Sequence, residues 1–578
     1  MSPNGWLAAS TSAKGGAVGP PPEHGARVHA RNLPIPESAL VGALLLLLLV
    51  LILYPLARVV AGATLEDGWP SPRPVAAFLA RPLLRAALVN TLLSGGLSVL
   101  FGGVMGVTLA ILITRYRFRG RRLVAVLAAL PLAIPPFAGA AALQHVLGAG
   151  GPVNLFLLER VGRQFAFTEG LGGVILVQTL HCFPLVMLST AAGLAGLEPA
   201  LEEAARGLGA SGLLPLRRVL LPLAFPGFAV GALLSFVLVM DDVATPLVLD
   251  YPRLLAPQIY ARLATRGLGD AESSVACAIL AALSLAALWT SRAVRARGAS
   301  PGSGRGEPVA SPLGRRGVGV AWLLAVALLG PALLPLVGLV ALSLSAPSAA
   351  FTLGNYGAVL AQTPPFLWNT IRYALLAAGA DVALGAVIAW LVSRGAAPGR
   401  GWLEALAELP LAIPGIVIAA GYLHAFGDGI SPGPGAPPTA PWVALVIVYA
   451  TRRLPWGVRG GLAGLAALPP AVTEAAQNLG ARRARVLRAI ALPLTARGLI
   501  AGGLVAFAAS AVDFSSTILL APPRELAPLS YGFHLSMHSP DGRGPAAALG
   551  VLAVALVTAG VWGAVRLGGR SRRLLFRA

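Results

Sequence analysis

Glu203-Ala204-Ala205, followed by Gly209 and then by Pro222, is a charged stretch between two strongly apolar segments. The pattern returns with identical spacings as Glu474-Ala475-Ala476, Gly480 and Pro493. Alanine and glutamate favour a helix, the glycine permits a tight turn, and the proline is tolerated in the first turn of the next helix. Each copy is therefore predicted to be a polar helical segment between apolar ones. Two copies indicate a binding partner with two-fold symmetry.

The composition is that of a protein embedded in a lipid bilayer. Hydrophobic residues make up 56% of the 578 residues and charged residues only 12%, and the mean hydropathy is +0.77, which excludes a soluble globular domain of this size. The net charge of +21 lies in short arginine clusters between apolar runs, so no nucleic-acid partner is expected. Cys182 and Cys277 each lie in an apolar run, so no disulfide, metal site or cofactor is expected either.

Each half of the chain has six apolar runs that could cross a membrane, because roughly 20 helical residues span the ~30 Å hydrocarbon core. In the first half they are residues 39–62, 86–114, 123–147, 171–195, 224–249 and 271–294. In the second half they are residues 318–345, 368–393, 403–426, 441–463, 494–521 and 545–567. The sequence therefore predicts an all-α membrane protein with about twelve transmembrane helices.

The two halves repeat one another well beyond the Glu-Ala-Ala segments. Leu130–Pro135 and Leu409–Pro414 have the same sequence, and we call the shift that aligns them the first offset. A loop is shorter in the second half, so a smaller shift aligns the residues that follow it. This shift, which we call the second offset, aligns the two Glu-Ala-Ala segments, and it also aligns Asp242 with Asp513. Because each half has an even number of spans, both halves have the same orientation. The prediction is two parallel six-helix repeats rather than inverted ones.

The repeats and the arginine clusters predict the domain boundaries and the topology. The expected regions are a flexible N-terminal tail 1–38, a first membrane domain 39–296, a Gly/Pro/Ser/Arg-rich linker 297–316, a second membrane domain 317–568 and a basic tail 569–578. Arginine clusters follow the second, fourth, sixth and twelfth runs, which all end on one side of the membrane. By the positive-inside rule that side is the cytoplasm. Both termini and both Glu-Ala-Ala segments are therefore predicted to be cytoplasmic.

The second copy of the repeated segment runs on to Ile490-Ala491-Leu492-Pro493, and the first copy has Val219 where the second has Ile490. In this form the segments resemble those of the inner-membrane permeases of binding-protein-dependent ABC importers. The resemblance implies that each segment is a coupling helix seated in a cleft of an ATPase subunit, so that one chain binds an ATPase dimer. It also implies a multi-pass protein of the bacterial inner membrane, to which a periplasmic binding protein delivers the substrate.

Within that family, two further stretches resemble the fused double permeases of ferric-iron importers. They are Pro131–Gly139 and His181-Cys182-Phe183-Pro184-Leu185. Permeases for thiamine, polyamines and aminoethylphosphonate are close relatives and remain alternatives for the substrate. The chain has no Gly-x-x-x-x-Gly-Lys-Ser/Thr phosphate loop, so we expect a transport subunit that has no ATPase site of its own.

Acidic residues inside the apolar runs are candidates for the substrate pathway, because a charge in lipid is costly unless it faces protein or water. Asp241, Asp242 and Asp513 fit this description and would suit a cationic substrate. Asp381 is similar, but a structural role is expected for it. The histidines have no metal-site spacing and are expected to be solvated or locally hydrogen-bonded.

A secondary transporter driven by protons or sodium, or a channel, is the alternative from a different class. Intramembrane acids suit proton coupling. Such carriers commonly have inverted repeats, however, and they would not require two copies of a cytoplasmic segment. An ATPase that co-purifies with the chain would favour the importer.

Overall fold

The computed structural model describes residues 36–197, 199–210, 214–297, 311–346, 351–362, 364–395, 397–427, 441–481, 483–520, 522–538 and 543–567. Most of the predicted N-terminal tail and linker, and all of the predicted C-terminal tail, lie outside the described residues. In the described part, nearly every element is a helix. The predicted all-α membrane class is confirmed.

The first half consists of residues 36–297. Its helices are α1 Glu37–Leu48, α2 Tyr54–Thr64, α3 Arg73–Ala80, α4 Pro82–Arg115, α5 Arg121–Ala129, α6 Pro136–Leu147, α7 Pro152–Val161, α8 Gly170–Ala195, α9 Pro199–Gly207, α10 Leu221–Met240, α11 Ala244–Val248, α12 Leu255–Arg266 and α13 Ala271–Arg297. Single π-helical turns at Leu49–Leu53 and Leu216–Leu220 continue into α2 and α10, and a 3₁₀ turn covers Leu130–Ala133.

The second half consists of residues 311–567 and has the same order of long helices. They are α14 Arg315–Ser343, α15 Gly354–Gln362, α16 Pro364–Arg394, α17 Arg400–Glu408, α18 Gly415–Phe426, α19 Pro441–Ala466, α20 Pro470–Asn478, α21 Arg483–Val486, α22 Leu492–Ala511, α23 Ser515–Leu520, α24 Leu529–Met537 and α25 Arg543–Leu567. A π-helical turn at Leu487–Ala491 leads into α22, and 3₁₀ turns cover Leu409–Leu411 and Arg524–Leu526.

Four two-residue strands complete the described elements. Strands β1 Leu65–Glu66 and β2 Trp69–Pro70 form an antiparallel hairpin, whereas β3 Tyr116–Arg117 and β4 Ser311–Pro312 are parallel. Strand β4 lies within the predicted linker 297–316 and pairs with β3, which directly follows α4.

Ten helical segments of the described residues are long and apolar enough to cross a membrane, and a bent helix pair raises the number to eleven. Helix α19, at the predicted tenth run, has 26 residues but contains three arginines and is less apolar. The predicted fifth and eleventh runs, 224–249 and 494–521, extend past the C-terminal ends of the observed helices. Helices α10 and α22 end at Met240 and Ala511, just before the acidic residues that the prediction placed inside them.

The predicted runs 123–147 and 403–426 are wrong as continuous helices, because both are broken at the repeated Leu-Pro-Leu-Ala-Ile-Pro sequence. In the second half, the helix axis bends by 109° across the break. Proline has no backbone N–H and forces the preceding residue into an extended conformation. Ile134, which precedes Pro135, accordingly has a ψ of 117°. The motif that we used to align the halves thus marks a break in each of them.

The two halves pack alike internally and exchange their first helices. Helix α4 packs against α8 and α10, and α16 packs correspondingly against α19 and α22. Helix α2 of the first half lies against α18 of the second half, and α14 lies against α6 of the first half. The largest buried cluster contains residues of both halves, such as Phe137, whose ring centroid is 4.7 Å from that of Phe533. The hydrophobic core therefore lies between the repeats.

Candidate functional site

The two Glu-Ala-Ala segments form short helices, α9 and α20, each of which ends in the same turn. Gly209 has a φ of 87° and Gly480 a φ of 84°, in the left-handed region that favours glycine. In the first copy, Ala210 N–H donates to Ala205 O at 3.1 Å, and the equivalent bond in the second copy is 3.0 Å long. The motif glycine is therefore the residue that allows each helix to end and the chain to turn back.

This turn exposes an apolar side chain that our sequence reasoning missed. Leu208 is 90% exposed and Leu479 is 88% exposed, and each directly precedes the motif glycine. The second offset makes them equivalent. The other motif residues at the surface are Glu203, Ala204 and Pro222 in the first copy and Glu474, Ala475 and Pro493 in the second. Two similar helix ends thus each present one leucine, and an apolar residue before both glycines was the signal in the sequence.

The acidic residues that were predicted for the pathway lie where α10 and α22 end. Asp242 Oδ1 accepts a hydrogen bond from Thr245 N–H, and Asp513 Oδ1 accepts one from Ser516 N–H, both at 3.0 Å. The two aligned aspartates therefore cap the short helices α11 and α23 in the same way. Gln178 Nε2 also donates to Asp242 Oδ2 at 3.1 Å. Asp242 thus lies within the first half, apart from the contact between the halves.

Asp241 and Asp513 are brought together by an arginine that was not predicted. Arg452 of α19 forms ion pairs with Asp241 of the first half and with Asp513 of the second. Arg453 pairs with Asp513 at 2.8 Å and donates to Ala509 O at 3.1 Å. We call Asp241, Arg452, Asp513 and Arg453 the inter-half clamp. Both carboxylates of the clamp are occupied by guanidinium groups in this conformation.

Two further hydrogen bonds attach Asp241 to the second half. Gly415 N–H, at the first residue of α18, donates to Asp241 Oδ1 at 2.5 Å, and Ser515 Oγ donates to Asp241 O at 2.6 Å. The side chain of Asp241 is 11% exposed and that of Asp513 is fully buried. Charges removed from water in this way need close partners, and the clamp supplies them. Separation of the halves at this point would break all the contacts of Asp241 with the second half.

The first half has no arginines at the positions equivalent to those of the clamp. The second offset aligns His181 and Cys182 with Arg452 and Arg453. His181 lies beside a cavity of about 20 Å³, which is room for one water molecule, at the break before α6. The charged contact is therefore one-sided in an otherwise repeated structure. An arginine pair in a predicted span was the sequence signal for it.

Two histidines of the second half lie near the clamp but do not form a metal site. The His534 and His538 rings on and after α24 are 4.8 Å apart, and the His534 ring is 6.0 Å from Phe514. Burial, with a smaller contribution from His538, lowers the pKa of His534 to about 4. Among the described residues, no three or more His, Cys, Asp or Glu side chains are grouped so that they could hold a metal ion.

Two similar halves of apolar helices, joined by a charged contact and each with an exposed helix end, define the class as a duplicated membrane protein. The sequence profile of the family described as binding-protein-dependent transport system inner membrane component matches residues 102–297 and 381–573. The first residues of these two matches are aligned by the first offset of the repeat. The chain belongs to this family. It is therefore a permease component of an ABC importer and a multi-pass protein of the inner membrane.

Two similar permeases match over most of this chain, and a third matches over less than half of it. A putative ferric transport system permease protein of Haemophilus influenzae is 26% identical over 82% of this chain and 77% of its own length. A ferric transport system permease protein of Actinobacillus pleuropneumoniae is 26% identical over 84% of this chain and 72% of its own. A probable molybdenum ABC transporter permease protein of Haloferax volcanii is 33% identical over 41% of this chain and 85% of its own.

One solved structure is similar over one half of the chain. It is the crystal structure of a bacterial ABC transporter involved in the import of the acidic polysaccharide alginate, with 20% identity and a TM-score of 0.38 over 45% of this chain and 94% of that one.

Proposed function

We propose that this chain forms the translocation pathway of an importer for a small cationic solute, with ferric ion as the first candidate, and that a separate ATPase dimer drives it. The ferric permeases support the solute, since they match both halves over about four fifths of the chain. Asp241, Asp242 and Asp513 are proposed to line the pathway. Their charge would favour a cation once the clamp is open.

The observation that carries the coupling proposal is the pair of exposed leucines, Leu208 and Leu479. Each is held on a turn that glycine makes possible, and the two turns are related by the repeat. A partner with two equivalent apolar pockets would bind both, and burial of one leucine side chain contributes about 1.5–3 kcal/mol. We propose that Glu203, Ala204, Ala205 and their second-half equivalents form the rest of that docking surface. We propose that this surface and both termini lie in the cytoplasm, and the positive-inside rule applied to the arginine clusters supports that orientation.

The coupling proposal is tested by substitution of the leucines. We expect Leu208→Asp and Leu479→Asp each to weaken the binding of ATPase subunits, and the double variant to lose them, because a carboxylate in an apolar pocket is costly. The measurement is the number of ATPase subunits that co-purify with the tagged chain from its native membrane. Leu208→Met and Leu479→Met are the matched controls and should retain two subunits per chain. Two subunits on the double aspartate variant would refute docking at these residues.

The solute is tested by uptake in a strain from which the gene is deleted. Cells that carry the chain should accumulate radiolabelled ferric ion, and cells with the double aspartate variant should not. Thiamine, putrescine and molybdate are the parallel arms, and uptake of one of them in place of ferric ion would reassign the solute. Uptake that persists without any ATPase would instead favour an ion-coupled secondary transporter.

A further inference from the structure

One carboxyl group of the second half is buried and has no hydrogen-bond partner among the described residues. Asp381 of α16 is 0% exposed, and neither of its oxygens has a hydrogen-bond partner among the described residues. Arg453 of α19, a member of the clamp, has a buried Nε for which the described residues provide no hydrogen-bond acceptor. An unsatisfied buried donor and an unsatisfied buried acceptor are both costly, and each such group in a native structure requires an explanation.

These two groups lie on helices that cross closely, α16 and α19. The helices meet at Gly385 and Gly457, where a Cβ atom on Gly457 would collide with the carbonyl oxygen of Asp381. Asp381 lies four residues before Gly385, and Arg453 lies four residues before Gly457, so each is on the contact face one turn away. Each of the two is thus a partner that the other lacks.

The first half has a neutral pair at the same crossing. Gly102 corresponds to Asp381 by the first offset, and Cys182 corresponds to Arg453 by the second. The Cys182 sulfur lies 3.1 Å from where a Cβ atom on Gly102 would be. A glycine and a cysteine are therefore sufficient to pack this crossing. The acid and the arginine of the second half are an addition that packing does not require.

We propose that Asp381 is a positioning residue for transport, namely the second acceptor of Arg453, which Arg453 reaches when the clamp opens. In the present conformation, Arg452 and Arg453 share Asp513, and Asp241 of the first half supplies the second carboxylate. If the halves separate, Asp241 leaves, and two guanidinium groups remain on one carboxylate. The Asp381 carboxyl group then loses its proton to solvent and replaces the lost negative charge, and rotation of the Arg453 side chain gives both unpartnered groups a partner.

This inference rests on the proposed function, because opening of the clamp is a step of that function. Its test therefore measures opening without any solute. Ser515, which contacts Asp241 and is 8% exposed, is replaced by cysteine in a chain with Cys182→Ala and Cys277→Ala. The purified complex with its ATPase subunits is labelled with a water-soluble maleimide, with and without trapped nucleotide.

We call the chain with Ser515→Cys, Cys182→Ala and Cys277→Ala the parent. Trapping of nucleotide on the ATPase subunits should accelerate labelling of the cysteine at position 515 roughly tenfold in the parent, as expected if the clamp shifts towards its open state. With Asp381→Asn added, we expect less than about a twofold acceleration, because Arg453 has no second carboxylate. The thermal stability of the untrapped complex should not fall, because Asp381 makes no hydrogen bond there. A structural role would instead lower that stability and leave the acceleration intact.

Two comparisons make the outcome unambiguous. Thr190→Val removes another buried side-chain oxygen without a partner among the described residues, and it should leave the acceleration as in the parent. The double variant Asp381→Gly, Arg453→Cys places the first-half residues at this crossing. It should reduce the acceleration of labelling by no more than Arg453→Cys alone does. Normal acceleration in Asp381→Asn, or additive losses in the double variant, would overturn the inference. Absence of acceleration in the parent itself would refute the proposed coupling to the ATPase, and the inference with it.

Discussion

Removal of the Arg452 guanidinium is the sharpest perturbation of the inter-half clamp. In Arg452→Gln, Asp513 keeps Arg453 and the Ser516 N–H, whereas Asp241 keeps only the N–H of Gly415. One buried carboxylate is thus left without a cation. Loss of one partner of a buried ion pair lowers the free energy of unfolding by about 3–5 kcal/mol. Arg452 pairs with two carboxylates, but only Asp241 loses its cation, so we expect this cost once rather than twice.

The cost falls mainly on the conformation in which the halves touch. When the halves are apart, Asp241 does not depend on Arg452, so the substitution shifts the population towards the open gate by a factor of about 10²–10³. We therefore expect faster ATP hydrolysis by the reconstituted complex in the absence of the binding protein. We also expect a lower unfolding temperature of the purified chain.

The control and the rescue are both available in the chain. Arg372 is an exposed arginine that lies 4.3 Å from the Trp442 ring, and Arg372→Gln should change stability by no more than about 1 kcal/mol. Asp241→Asn in the Arg452→Gln background removes the uncompensated charge and should restore much of the stability. If Arg452→Gln leaves both the unfolding temperature and the basal ATPase rate unchanged, the clamp does not hold the halves together.

Three further outcomes follow from the same structure. Gly480→Val should abolish uptake and ATPase binding without reducing the amount of chain in the membrane, because a β-branched residue resists a φ of 84°. Gly319→Val, at a helical position with open space around it, should leave uptake and ATPase binding intact. Asp242→Asn keeps the cap on α11 but removes the charge, so the KM for ferric-ion uptake should rise about tenfold, and unchanged kinetics would exclude Asp242 from the pathway. Burial lowers the pKa of His534 to about 4, so the folded state binds fewer protons than the unfolded state below pH 6.5. The free energy of unfolding should therefore fall by about 2 kcal/mol between pH 7 and pH 5. His534→Gln should abolish that loss, as measured by thermal unfolding at several pH values.

The aspartates show how far local sequence information reached. The equivalence of Asp242 and Asp513 was predicted from the repeat, and the two residues do accept equivalent backbone hydrogen bonds at the ends of α10 and α22. The partners of the acids were not predictable in this way, because Arg452 is 211 residues from Asp241 along the chain and 61 from Asp513. An ion pair depends on distance in space, which hydropathy does not encode.

The sequence by itself determined the membrane class, the parallel repeat and the two Glu-Ala-Ala helices, because apolar run length, the two offsets of the repeat and the motif glycines are local properties of the chain. The breaks in the third and ninth runs were missed, although the prolines that cause them are local. Only the tertiary structure decided that the first helices of the halves are exchanged. It alone joined Asp241 to Arg452, and it left Asp381 opposite Arg453. These contacts join residues that are far apart along the chain, and the identity of such a neighbour is fixed by packing rather than by the residues on either side of it.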